Sequence, residues 1–279
     1  MTTKVTVLNT KGGVGKTTLV ANLSGLLVDL GNNVLMVDAD TGQPGLSSYF
    51  PIEKLAPKGI TDLFMSAPST LNLSDFISKT TIPNLDFIYS DDVNDELKGW
   101  VKDQPDGSMR LKTLLNCFDH LYDFIIIDTQ GSKGTVQDAA AIAADILVCP
   151  IPLEILAAKE LERGTFDMLD RLRPMAAYGF PLGKLYGVLN KQDRTVDARL
   201  ILQGLKEKYD IDSENRITLC QTIIPSSVNY RSGASRQMPV HLLEPGVKDT
   251  MLSLTREIFP NTADFSRSTS AADTSIHVS

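Results

Sequence analysis

Short apolar and β-branched runs punctuate this 279-residue chain at Val5–Leu8, Val34–Val37, Leu85–Ile88, Phe124–Ile127, Ile146–Cys149, Leu185–Leu189 and Thr222–Ile224. Most are separated by segments long enough for a crossover helix. A strand with one wet face would alternate apolar and polar residues, whereas these runs are nearly continuous, which calls for cover on both faces. The pattern therefore predicts an α/β fold with a mostly parallel central sheet of about seven strands and helices on either side. Ligands of such sheets bind outside the carboxyl ends of the strands, so the residues just after each run are where chemistry is to be sought.

Between the runs, Thr17–Leu30 carries Leu19, Val20, Leu23, Leu26, Leu27 and Leu30 at helical spacing, with Gly31 as a stop. Thr135–Ala144 reads as a second helix, and Ile151–Leu172 holds a third, opening after Pro152 and closing near Pro174. Phe50–Asp119 has scattered Pro, Gly and Asp and predicts short helices and loops around one strand, in no assignable order. Residues 261–279 are small, polar and unpatterned and predict a disordered tail, leaving 1–260 as a single domain.

The segment Asn9-Thr10-Lys11-Gly12-Gly13-Val14-Gly15-Lys16-Thr17-Thr18 ends the first strand and opens the first helix. That is the context a P-loop requires. Its glycines let consecutive backbone N–H groups and the helix N-terminus face an anion. Lys16 then supplies charge to the β and γ phosphates, and the Thr17 hydroxyl offers a hard oxygen to Mg²⁺. Two carboxylates, Asp38 and Asp40, follow the second run, and Asp128 ends the fourth. Carboxylates at strand ends beside a polyphosphate repel it unless a cation intervenes, which favours a chemical role over a structural one.

Lys11-Gly-Gly-Val-Gly-Lys-Thr-Thr18 resembles the deviant Walker A motif of the ParA/MinD family of P-loop ATPases, closest to the ParA branch. The resemblance implies ATP and Mg²⁺ as ligands, held through Lys11, Gly12, Gly13, Val14, Gly15, Lys16, Thr17 and Thr18. It also implies a homodimer formed on ATP, with Lys11 reaching the partner's nucleotide. Val37-Asp-Ala-Asp40 resembles the first switch, Asp40 matching the aspartate that polarises the attacking water, with Gln43 in the loop that follows. Asp38 is expected at metal-bound water or at Lys16. Phe124-Ile-Ile-Ile-Asp128-Thr129-Gln130-Gly131 resembles Walker B and the second switch, Asp128 reaching the metal through water, although many members read Asp-Thr-Pro-Pro there. Asn190 matches the residue that reads the adenine edge, and Pro225 lies in the adenine-flanking loop.

Composition narrows the output. The net charge of −7 argues against a protein that coats nucleic acid, yet residues 180–260 hold a slight excess of Lys and Arg over Asp and Glu. Arg194 matches a family position that contacts DNA phosphates, and Arg231 and Arg236 would widen that surface, although Ser226 stands where many DNA-binding relatives have arginine. No run reaches the roughly 18 apolar residues of a membrane span, and the tail has no basic amphipathic helix of the kind that marks the membrane branch. With no leader pattern at the N-terminus, the expected location is the cytoplasm, on the nucleoid if DNA is bound. The reading is an ATPase that binds DNA non-specifically as an ATP dimer and partitions it with a centromere-binding or cargo-adaptor protein that stimulates hydrolysis. The alternatives are a same-fold ATPase positioning a protein cargo and, more remotely, an iron–sulfur reductase relative. The last needs a cysteine pair placed to hold a cluster at the dimer interface, and neither Cys117 nor Cys149 follows a switch motif as that role demands.

Overall fold

The computed structural model describes residues 1–92, 96–154, 160–192, 195–209, 216–226, 230, 233 and 235–260. Nine strands form one sheet in the order β3-β4-β5-β2-β6-β1-β7-β8-β9. They are β1 (Thr3–Val7), β2 (Val34–Ala39), β3 (Ile52–Lys54), β4 (Ser78–Thr80), β5 (Leu85–Ile88), β6 (Phe124–Thr129), β7 (Ile146–Pro152), β8 (Lys184–Gln192) and β9 (Thr218–Pro225). The seven from β5 to β9 in sheet order pair in parallel and correspond to the seven apolar runs. The other two, β3 and β4, add an antiparallel edge. They come from the segment whose order the sequence leaves open, because three-residue strands with polar neighbours carry no periodicity.

Double-sided burial explains the continuous runs. Along β6, Phe124 and Ile126 face α1 (Lys16–Asp29) and its neighbours, whereas Ile125 and Ile127 face α2 (Ile60–Met65), α3 (Leu97–Asp103), α4 (Gly107–Asn116) and α5 (Thr135–Ala143). The β7 and β8 end of the sheet packs Leu147, Ile151, Leu185 and Leu189 on α6 (Asp167–Leu172) and α7 (Val196–Tyr209). The third helical segment departs from expectation. β7 runs on through Pro152, and α6 is preceded by a wide π turn, Leu161–Phe166, and followed by a 3₁₀ stretch, Arg173–Tyr178. The expected tail, 261–279, lies outside the described residues.

The topology places the site. From β1 the chain passes through α1 to β2 on one side, and from β6 it passes through α5 to β7 on the other. β1 and β6 are neighbours, so their connections diverge and open a crevice at their carboxyl ends. α1 is held beneath it by a close contact with the segment leading into the short α8 (Val240–Leu243) and α9 (Pro245–Ile258). A Cβ at Gly25 would stand 2.5 Å from Pro239 Cγ. Alanine in mid-helix gains about 1 kcal/mol over glycine, but a stiff proline ring cannot yield, and overpacking costs roughly 1–3 kcal/mol. Gly25→Ala is therefore expected to lower the midpoint of denaturant unfolding; an unchanged or raised midpoint would show that the contact is slack.

Candidate nucleotide site

The loop between β1 and α1 turns on Gly13 and Gly15, which adopt the left-handed φ values of 71° and 94°. Asn9 secures its base: the side-chain Nδ2 donates to the Pro150 carbonyl at 2.9 Å, and Oδ1 accepts the Lys11 N–H at 2.8 Å. Two further glycines press neighbouring segments onto the loop. A Cβ on Gly131 would meet Gly12 Cα at 2.4 Å, and one on Gly164, in the wide turn before α6, would meet Thr10 Oγ1 at 2.0 Å. Thr10 N–H also points to the Thr165 hydroxyl, at 3.4 Å. The widened turn and its glycine thus serve close approach to the loop, a frequent use of such turns at functional sites. A cleft of about 510 Å³ runs from Gly12 and Lys16 past Asp40 and Gln43 to Asn190, Pro225, Ser226, Tyr230 and Met251.

Charge is concentrated beneath this loop. Lys16 is only 6% exposed, and burial lowers its pKa against the pull of Asp128 and Asp40. Asp38 and Asp128 are register partners on β2 and β6, both fully buried. Burial pushes Asp128 up to about 7, opposed by the Thr17 hydroxyl and by Lys16 and reinforced by Asp40. Asp38 is raised well above the ordinary carboxylate range by burial and by Asp128. The two differ in what they have left to offer. Asp38 already accepts the Asp40 and Leu46 N–H groups, one on each oxygen, at 3.1 and 3.2 Å. Asp128 uses Oδ1 for the Thr129 N–H at 3.0 Å, while Oδ2 is buried without a hydrogen-bond partner. An orphaned carboxylate oxygen beside the Thr17 hydroxyl is a set of hard donors suited to Mg²⁺ or its bound water, and a divalent cation would relieve the repulsion. Thr17 and Asp128 fit that ion better than Asp38 does.

The loop lysines are held differently. Lys11 does not line its own cleft; its Nζ pairs with Glu154 Oε2 at 3.0 Å, just beyond β7. Lys16 Nζ donates to the Lys11 carbonyl at 3.4 Å. Asp40 Oδ1 closes the loop after β2 by accepting the Gly42 and Gln43 N–H groups at 3.1 and 2.9 Å.

The AAA domain family AAA_31 matches residues 2–172. The sporulation initiation inhibitor protein Soj of Bacillus subtilis is 30% identical over 263 residues, spanning 92% of this chain and 98% of Soj. The chromosome partitioning protein ParA of Caulobacter vibrioides is 27% identical over 92% of this chain and 94% of its own length. The chain belongs to the ParA/MinD family of P-loop ATPases. Its fold is that of the ATP complex of a Cyanothece McdA variant, with a TM-score of 0.77 at 20% identity over 94% of this chain and 98% of that one.

Within this ParA/MinD frame, Gly12, Gly13, Gly15, Lys16, Thr17, Thr18, Asp40, Gln43, Gly131, Asn190 and Pro225 all converge on one cleft. Val14 is buried beneath it. Thr129, expected in a mobile switch, is 1% exposed, and its hydroxyl is spent on the Val7 carbonyl at 2.9 Å, so it acts as a sheet anchor. Asn190, expected to read the base edge, lines the cleft and also clamps the loop: Nδ2 donates to the Val14 carbonyl at 2.8 Å and Oδ1 accepts the Lys191 N–H at 2.8 Å, leaving one N–H and one lone pair. Arg194 and Arg231 lie outside the described residues, and Arg236 is exposed. Cys149 is buried against Asn9 Nδ2 at 3.4 Å, and burial pushes its thiol up to about 12. Glu154, Gly164 and Lys191 escaped the sequence reading because each is defined by a partner more than a hundred residues away. Only the adjacency of Lys191 to Asn190 offered a cue.

Asp128 also sets a pH dependence. Its folded pKa of about 7 lies above the ordinary 3.8, so between those values the folded protein keeps a proton that the unfolded chain has lost. Stability contributed by this group therefore falls as pH rises across that interval. Asp128→Asn carries no such term. Without Mg²⁺, the melting-temperature gap of Asp128→Asn over wild type is expected to widen from about pH 4 to about pH 7, and a gap that stays constant would contradict the assignment.

Proposed function

We propose that the protein is an ATP-driven switch that dimerises on ATP and Mg²⁺, binds DNA non-specifically in that state, and partitions DNA with a centromere-binding or adaptor partner. The observation that carries this reading is the placement of the two loop lysines. Lys16 is buried under its own cradle, whereas Lys11 starts the same loop yet is held outside the cleft by Glu154. A cation at the mouth of a phosphate site that does not serve its own loop is suited to a second subunit's triphosphate. It would offset transition-state charge there much as an arginine finger does.

The residues divide the chemistry accordingly. Mg²⁺, when bound, supplies charge neutralisation at the β and γ phosphates. Lys16 and the loop N–H groups orient the triphosphate, Thr17 and Asp128 hold the metal or its water, and Asp40 at the cleft edge orients the attacking water for in-line displacement. Gly131, in contact with Gly12, passes the state of the γ-phosphate to the segment after β6.

The partition role draws support from the near full-length relation to Soj and to a chromosome partitioning protein. Among the described residues no helix is long and apolar enough to cross a membrane. DNA contact is assigned to Arg194, Arg231 and Arg236, with phosphate contacts that are sequence-independent and salt-sensitive. The test is retention on a non-specific duplex with ATP, with ADP, and for Lys16→Ala and Arg236→Ala. Wild type is expected to be retained with ATP only, Lys16→Ala not at all, and Arg236→Ala with a shallower salt dependence. Nucleotide-independent or absent retention of the wild type would move the assignment to the positioning of a protein cargo.

A further inference from the structure

Gln130 follows Thr129 at the end of β6, where many members of the family have proline. Its main chain is pinned. The Gln130 carbonyl accepts Gln137 Nε2 at 3.3 Å, the Thr129 hydroxyl before it is bonded to the Val7 carbonyl, and Gly131 after it is pressed onto Gly12. The side chain is only 5% exposed, yet its Nε2 is buried without a hydrogen-bond partner among the described residues. A donor that has given up water and found no acceptor weakens the fold, and an apolar side chain of the same length would avoid that cost.

The two ends of this amide lie against two glycines on different segments. A Cβ at Gly42, in the loop after β2, would stand 3.9 Å from Gln130 Oε1 and 3.7 Å from Asp40 Oδ1, so the amide and the Asp40 carboxylate border the same gap. A Cβ at Gly134 would stand 2.8 Å from Gln130 Nε2, at the start of α5, a helix that opens without a side-chain cap. An acceptor thus faces a carboxylate, while a donor faces the end of a helix whose first N–H groups need acceptors. Both ends are mismatched. A half-turn of the amide about its Cγ–Cδ bond keeps the same shape and exchanges the two atoms. It turns an N–H toward Asp40 and a carbonyl toward the opening of α5, where the helix dipole favours negative charge. Asp40 has capacity for that donor: a carboxylate offers about four lone-pair sites, and the Gly42 and Gln43 N–H groups both bond to Oδ1.

We propose that Gln130 is a positioning residue for ATP hydrolysis: its amide donates to the Asp40 carboxylate and fixes the orientation in which Asp40 holds the attacking water. The proposal deepens the ATPase reading given above and rests on it. Because the same half-turn brings a carbonyl to α5, the seating of Asp40 is coupled to the helix that follows the segment in contact with Gly12.

The experiment follows single-turnover hydrolysis, affinity for ATP with Mg²⁺, and thermal melting of the full chain for wild type, Gln130→Met and Gln130→Glu. Methionine keeps the length and loses the amide; glutamate keeps the shape, lacks the donor when ionised and repels Asp40. Gln130→Met is expected to slow the chemical step by roughly tenfold to a hundredfold, the loss of one hydrogen bond to a charged group, with ATP affinity within about threefold of wild type and an equal or higher melting temperature. Gln130→Glu should be slower still. A Gln130→Met protein that hydrolyses like wild type would overturn the proposal, and so would a slowed one that has lost ATP affinity or melts lower, since that marks a packing role. Gln130→Glu at or above the wild-type rate would also overturn it. Wild type that binds ATP without hydrolysing it would instead sink the ATPase reading, and this would be seen before any variant was compared.

Discussion

Two carboxylates that cannot both be comfortably ionised govern this structure. Asp38 and Asp128 stand side by side on β2 and β6, fully buried, both with pKa values raised by burial, Asp38 further by Asp128 and Asp128 further by Asp40. Nearby, Lys16 is lowered by the same burial. Isolated buried charges are costly, and partial pairing only softens that cost. A fold that keeps such a cluster at the diverging ends of its central strands is built to be completed by charge from outside. A divalent cation with a polyphosphate supplies both signs in the required order, with the cation over the carboxylates and the anion over the amides.

The backbone around this cluster has little room to move independently. Three segments touch the phosphate loop where only glycine allows it: the end of β6 at Gly131, the wide turn before α6 at Gly164, and the end of β8 through Asn190 at Gly15. Each contact brings a different part of the sheet to the same short loop. Packed contacts of this kind shift between discrete arrangements more readily than they deform. A change in the phosphate loop would therefore bear on three separate parts of the sheet.

Much of this was legible in the chain before any coordinates. The seven parallel strands could be read because burial on both faces writes an unbroken apolar run, and the phosphate loop because its residues are consecutive. The antiparallel edge was not legible: β3 and β4 are three residues each and pair without an apolar signature. The helix expected to open after Pro152 would start in residues 155–159, outside the described residues; beyond them the segment is divided into the wide turn Leu161–Phe166, α6 and a 3₁₀ stretch, a division that apolar spacing does not encode. The roles of Asn190, Lys191, Glu154 and Thr129 rest on partners distant in sequence, which neither periodicity nor motif spacing encodes.

On the proposed function, a triphosphate bound in this cleft is shared between two subunits, with Lys11 exchanging Glu154 for the partner's phosphates. Light scattering on Asp40→Ala protein saturated with ATP and Mg²⁺ tests it most directly, since blocked hydrolysis leaves the triphosphate in place. The account requires a particle of twice the chain mass that reverts to single mass when Lys11→Ala is added to the same protein. Nucleotide-saturated Asp40→Ala that stays at single mass would contradict it.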